Sequence, residues 1–108
     1  MSIVTCPTEI VAAAPSVVWR VATTPVELAH WTESRLVESP GHSGELRSGD
    51  RVVLGAGVRG LFRVVVHVAH VDPPNRITLD VRLPFGVVNH EVLVITPLSA
   101  STCRVTFN

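Results

Sequence analysis

The chain has 108 residues, a formal net charge of zero, and nine basic side chains that are all arginines, because the sequence contains no lysine. A chain of this length forms one domain, and without a basic stripe it lacks the electrostatic footprint of a nucleic-acid-binding protein. Hydrophobic residues make up 46% and charged residues 17%, which is apolar for a small domain. We therefore expect a pocket or a partner surface to hold part of the excess.

The N-terminus has neither the basic start nor the long apolar run of a signal peptide. No apolar stretch approaches the ~20 residues of a membrane span. We expect a cytoplasmic protein without a membrane span. Cys6 and Cys103 have no metal-type spacing, so they are interpreted as reduced thiols in or near the core, with a disulfide between the terminal strands as the alternative.

A first strand is predicted over residues 3–11, followed by two short helices. Pro15 suits the first turn of a helix, where its missing N–H is harmless, and apolar residues between 17 and 22 repeat with helical spacing. Pro25 ends this helix and opens a second one, which runs to Trp31.

The rest of the chain has the pattern of strands joined by short turns, which indicates antiparallel neighbours. Within one of these strands, residues 77–83, apolar and polar residues alternate strictly, as in a sheet with one wet face. The predicted strands are 36–38, 50–54, 61–71 (the longest), 77–83, 87–96 and 103–107.

This order of elements, with the segments APSVVWRVATTPVELAHW, VDPPNRITLDVRLPFG and STCRVTF, resembles the START-like (SRPBCC) superfamily. That group includes polyketide cyclase/dehydrase proteins, lipid-transport proteins and plant allergens of the birch-pollen type. The resemblance covers nearly the whole chain. The residues that carry it are Pro15, Val18, Trp19, Trp31, Gly49 and the turn at 71–74.

The resemblance implies an α+β helix-grip fold (START/Bet v 1-like), in which a curved antiparallel sheet with two short N-terminal helices wraps a long C-terminal helix. The sequence departs from this pattern because it stops at Asn108, at the end of the last predicted strand, so we expect the domain to lack the long C-terminal helix. We expect residues 1–108 to form a single domain, truncated at its C-terminal end. About 400 Å² of apolar sheet would be uncovered, worth on the order of 10 kcal/mol. A homo-oligomer or another partner is therefore expected to cover the sheet.

The function that the resemblance implies is binding of a small hydrophobic ligand, lipid- or polyketide-like, in a cavity on the concave face of the sheet. One alternative is a polyketide cyclase, aromatase or dehydratase that uses acid–base side chains in the cavity. A second alternative is a protein-interaction or regulatory module of the same fold. No catalytic signature is matched residue by residue.

His67 and His70 are both on the longest predicted strand and, on a regular strand, point to opposite faces. This spacing argues against a two-histidine metal site, so no metal is predicted. The neighbours of His70 with the same parity are the more apolar, which places His70 at the rim of the core-facing row. No cofactor is predicted either, because the glycines of residues 55–60 do not match a phosphate-binding loop.

His90 and Glu91 are adjacent, so one of them enters an apolar row of the penultimate strand. A buried polar group must find a partner, which in a pocket is the ligand. The alternative is surface pairing across strands with Arg63 or Arg82.

Two aromatic residues complete the candidate ligand-binding set. Trp31, like Trp19, is interpreted first as a core anchor between helices and sheet, and second as a ligand contact. Phe85 lies in a predicted turn that either forms the mouth of the cavity or caps the core.

Overall fold

The computed structural model describes residues 8–107, which form an α+β fold of seven strands and two short helices. The helices are α1 (Pro15–Thr23) and α2 (Pro25–Trp31). The strands are β1 (Thr8–Val11), β2 (Arg35–Glu38), β3 (Arg51–Ala56), β4 (Phe62–Asp72), β5 (Arg76–Arg82), β6 (Val88–Ser99) and β7 (Thr102–Phe107). Single 3-10 turns occur at Val58–Gly60 and Pro84–Gly86.

The strands form one curved antiparallel sheet in the order β1-β7-β6-β5-β4-β3-β2. The first strand therefore pairs with the last, and the remaining neighbours are consecutive, as the short turns predicted. This arrangement is the helix-grip, Bet v 1-like architecture expected from the sequence.

The alternating pattern of the strands gives the sheet one apolar, concave face. On β5, Ile77 is 1% exposed while Arg82 is exposed, so the predicted wet and dry faces of this strand are confirmed. The core is formed mainly by side chains of this face together with the two helices. Its most deeply buried members are Val52, Val68, Ile77, Ile95 and Cys103.

Both helices begin at a proline, and two hydrogen bonds tie α1 to the segment before β3. The Trp19 Nε1 donates to Glu45 Oε1 at 3.0 Å, and the Leu46 N–H donates to the Thr23 carbonyl at 2.8 Å. Trp19 is only 3% exposed, so its interpretation as a core anchor is confirmed. The contacts hold α1 against the concave face.

Several strand boundaries differ from those predicted. β3 continues to Ala56, into the glycine-containing segment expected to be a loop. The longest described strand is β6, with 12 residues, rather than β4, with 11. Residues 3–7 of the predicted first strand lie outside the described residues.

The prediction that His67 and His70 point to opposite faces is wrong. A β-bulge interrupts β4 between Val68 and His70, which pair with Leu79 and Thr78. The extra residue, Ala69, shifts the parity of the strand. Both histidines therefore lie on the convex face, and His70 is exposed rather than at the rim of the core-facing row.

Cys103 is a free thiol with no exposed surface. Its side chain packs in the core next to the concave-face residues of β6. The interpretation as a reduced core thiol therefore fits Cys103 and the disulfide alternative does not, while Cys6 lies outside the described residues.

Candidate functional site

A cavity of about 350 Å³ lies between α1 and the concave face of β1, β7 and β6, and it is partly open to solvent. We call it the principal cavity. Its lining is apolar apart from Glu9, which lies at the β1 edge of the sheet. The lining residues are Glu9, Val11, Val18, Val21, Ala22, Trp31, Leu93, Val105 and Phe107.

A second compartment of about 170 Å³ continues along the same face towards β3 and β4. Its walls come from the five strands β3 to β7 and from α1 and α2, and its polar groups are Glu91, Thr32 and Ser34. The two spaces share the residues that lie between them, which are Ala22, Trp31, Leu93 and Phe107.

The Trp31 and Phe107 rings form the partition between the two compartments. Their centroids are 5.7 Å apart and the ring planes are tilted by 44°, a geometry in the favourable range for aromatic pairs. Trp31 is 41% exposed, so it is a wall of the site and not a core anchor like Trp19. Its second interpretation, as a residue placed to contact a ligand, fits this position.

Glu91 is the member of the His90–Glu91 pair that faces the cavity side. It pairs across strands with Leu79 and is partly buried in the second compartment. His90, which has the opposite parity, lies exposed on the convex face, so it is not a cavity residue. There its Nδ1 lies 2.5 Å from Asp80 Oδ1. The expected surface pairing therefore occurs, but with Asp80 instead of Arg63 or Arg82.

His90 belongs to a row of ionisable side chains that crosses the convex face of the sheet. Arg51, His67, Asp80 and His90 are successive cross-strand neighbours on β3, β4, β5 and β6. Arg51 also donates to Glu38 at 2.8 Å. Alternating partners of this kind stabilise the outer face of a sheet, and the row does not reach either compartment.

Phe85 does not contact the cavity or cap the core. It is 93% exposed in the turn between β5 and β6, so the predicted turn is confirmed and both interpretations of the Phe85 side chain are wrong. Of the five predicted ligand-binding residues, the structure brings Trp31 and Glu91 to the site. It leaves His70, Phe85 and His90 outside.

Two important lining residues were missed from the sequence. Glu9 shares the parity of Val11 on β1, and Phe107 shares that of Val105 on β7. Both positions were inside predicted strands. The missing information was the pairing of β1 with β7, which brings the two side chains to the same cavity.

The described part of the chain, residues 8–107, contains no group of three or more His, Cys, Asp or Glu side chains arranged to hold a metal ion. Over the same residues, no helix is both long and apolar enough to cross a membrane. The polar groups that line the two compartments are the carboxylates of Glu9 and Glu91 and the hydroxyls of Thr32 and Ser34.

No family model and no curated protein matches this chain. Several solved structures are similar to it. An HSP90 activator from Plasmodium falciparum is similar with a TM-score of 0.73 and 13% identity, covering 95% of this chain and 69% of that one. A protein from Chromobacterium violaceum is similar with a TM-score of 0.70 and 18% identity, covering 96% and 77%.

A third similar structure is DynU16, a putative protein in the dynemicin biosynthetic locus. The TM-score is 0.67 and the identity 21%, and the match covers 96% of this chain but only 36% of DynU16. The likeness shows the fold. At these identities it does not carry activity from one protein to another.

Proposed function

We propose that this protein binds a small hydrophobic molecule, lipid- or polyketide-like, in the principal cavity. The observation that carries the proposal is the lining, which is apolar except for a single carboxylate at Glu9. Small-molecule sites have this form, with a few polar groups to orient the ligand, and range from about 300 to 1,000 Å³. The position of a similar fold, DynU16, in a biosynthetic locus supports the same interpretation.

The lining residues of the two compartments indicate how a ligand would be held. An apolar body in the principal cavity would contact valines of α1 and β7, and burial of apolar surface contributes about 25 cal/mol per Å². Glu9 at the edge and Glu91 in the second compartment would accept hydrogen bonds from hydroxyl groups of the ligand. A ligand longer than the principal cavity would pass the Trp31–Phe107 pair.

The test is a titration with N-phenyl-1-naphthylamine, an uncharged fluorescent probe, followed by probe emission and by quenching of the tryptophan fluorescence. Ala22, which borders both compartments, is replaced by methionine to fill the space. We expect Ala22→Met to weaken binding about tenfold, since it removes cavity volume. Val17→Met on the same helix is the control, because Val17 is 40% exposed and does not line the cavity.

An affinity unchanged by Ala22→Met, in a variant with unaltered secondary structure, would contradict the proposal. The same samples examined by sedimentation velocity test the separate prediction that the chain associates. A monomer at all concentrations would contradict that prediction, and a dimer that excludes the probe would contradict ligand binding.

A second candidate function is acid–base catalysis on a polyketide-like substrate, favoured by the placement of Glu91 in an apolar compartment. Glu91→Gln keeps the shape of the side chain and removes its proton-transfer capacity. Loss of turnover of a poly-β-keto thioester with unchanged probe binding would distinguish an enzyme from a binding protein.

A further inference from the structure

Exposed apolar side chains are concentrated at one end of the sheet. The β3–β4 and β5–β6 connections both lie there, because β4 and β5 are adjacent antiparallel strands, and the second turn contacts β4. The exposed apolar residues of these connections and of the adjoining strand ends are called here the tip patch. It consists of Val58, Leu61, Phe62, Phe85, Val87 and Val88, with exposures from 46% to 93%.

The two turns hold their side chains outward by defined backbone geometry. Arg59 and Phe85 have φ angles of 57° and 68°, a left-handed conformation that is unfavourable for residues with a Cβ. The Leu83 N–H donates to the Val87 carbonyl at 2.8 Å and closes the second turn. Phe85 thus projects from an ordered turn instead of folding back onto the core.

Four arginines surround the tip patch. Arg35 and Arg63 flank Gly55 on neighbouring strands, Arg59 lies in the first turn, and Arg82 ends β5. Within residues 8–107, none of the four forms an ion pair with a carboxylate. The acidic residue in the connections at this end is Glu33, between α2 and β2. The end of the sheet is therefore strongly positive in a chain of zero net charge.

The combination of exposed apolar side chains and arginines favours some partners over others. A second copy docked through the same patch would bring two sets of arginines together, which is unfavourable. An anionic lipid surface offers both complementary features. Its phosphates pair with guanidinium groups, and its boundary between headgroups and acyl chains accepts aromatic and aliphatic side chains.

We propose that the tip patch and its four arginines dock this protein on the surface of an anionic membrane. The β3–β4 and β5–β6 turns enter the interface, and no segment crosses the bilayer. The proposal is independent of what occupies the principal cavity, since none of the tip-patch residues lines it.

The experiment is cosedimentation of the full chain with vesicles of phosphatidylcholine, with or without a minority of phosphatidylserine. We expect binding only to the anionic vesicles, and weaker binding as salt rises above ~0.1 M, where the Debye length is about 10 Å. Replacing Phe85 with asparagine, which tolerates positive φ, together with Leu61→Ser, is expected to abolish binding. The pair Arg59→Asn with Arg82→Gln is expected to weaken it about twenty-fivefold, at about fivefold per arginine.

Two controls match these changes in chemistry but lie elsewhere. Arg20→Gln with Arg104→Gln removes the same charge from α1 and β7, and Val26→Ser removes an apolar side chain that is 64% exposed on α2. Failure of the wild-type chain to bind anionic vesicles would overturn the proposal. Equal weakening by the arginine controls would do so as well. If the tip variants instead convert a wild-type dimer to monomer without affecting vesicles, the patch is a protein contact and the membrane proposal is wrong.

Discussion

Gly57 is a position where a side chain would be disfavoured both by the backbone conformation and by a neighbouring ring. Its φ is 74°, and a Cβ added there would lie 2.5 Å from Phe62 Cδ2. Gly86 has a similar φ of 77° but open space around it. Gly57 also has a ψ of −163°, which at positive φ is a region essentially restricted to glycine, so a substitution there combines a backbone cost with a steric clash.

We predict that Gly86→Ala lowers the free energy of unfolding by about 1 kcal/mol, the usual cost of a Cβ in the left-handed region. Gly57→Ala is expected to cost about 3 kcal/mol, because its backbone conformation is poorly accessible to alanine and the Phe62 ring must also move. Urea denaturation of both variants and the wild type measures the difference. Equal losses would show that neither the backbone conformation of Gly57 nor the Phe62 ring adds a cost.

The individual site residues show how far a sequence pattern reaches. For His90 and Glu91, parity along β6 correctly placed them on opposite faces, but only the sheet showed that Glu91 is the inner one. For His70, parity failed because the bulge at Ala69 adds one residue to β4. Nothing in the run of valines and histidines around it marks a bulge, since the pairing partner decides where it occurs.

At the scale of elements, helices and strands were well predicted because prolines and alternating apolar residues mark them locally. The start of α1 at Pro15 and the limits of α2 at Pro25 and Trp31 follow from these signals. The segment between β2 and β3 was predicted only as a connection between two strands. Its conformation depends on contacts between residues that are distant in sequence, such as Trp19 and Glu45.

Within this segment, His42 connects two parts of the chain. Its Nε2 lies 2.7 Å from Asp50 Oδ2, and its Nδ1 lies 3.0 Å from the Ser43 carbonyl. Both partners are acceptors, and only the protonated imidazole donates from both nitrogens. The Ser43 carbonyl first, and Asp50 second, raise the pKa of His42 above its ordinary value of 6.5.

The direction of this shift predicts how stability depends on pH. A raised folded-state pKa means that the contribution of His42 is fully present below pH 6.5 and is lost as pH rises through the higher folded value. We expect the wild type to lose stability relative to His42→Gln over that interval. Urea denaturation across the interval measures it, with His30→Gln as the control for an exposed histidine. If the free energies of unfolding of wild type and His42→Gln change with pH in parallel, the raised pKa of His42 is contradicted.

For the whole molecule, the sequence predicted the fold class and the concave apolar face but not the shape of the space. The order and type of elements follow from local patterns, whereas the cavity depends on which strands meet. Phe107 lies near the chain end and gave no signal of its own. The pairing of β7 with β6 and β1 makes it a wall of both compartments.

We predict that Phe107→Ala joins the two compartments into one. The loss of a half-buried aromatic ring is expected to lower the free energy of unfolding by about 2 kcal/mol, less than the 3–5 kcal/mol of a fully buried one. Longer probes, such as fluorescent fatty acids, should then bind more tightly than N-phenyl-1-naphthylamine. Titration of the two probes against wild type and variant measures the change, and an unaltered preference would contradict the partition.

The pairing of β1 with β7 also has a consequence for how the domain forms. Thr8 lies opposite Thr106, so the contact closes a loop that includes nearly all of the chain. Loop closure costs entropy that rises slowly with loop length, and contacts of high sequence separation form slowly. The β2–β6 meander can assemble from local hairpins before this step. We therefore expect the wall of the principal cavity to be completed late in folding, and we expect transient unfolding to begin there.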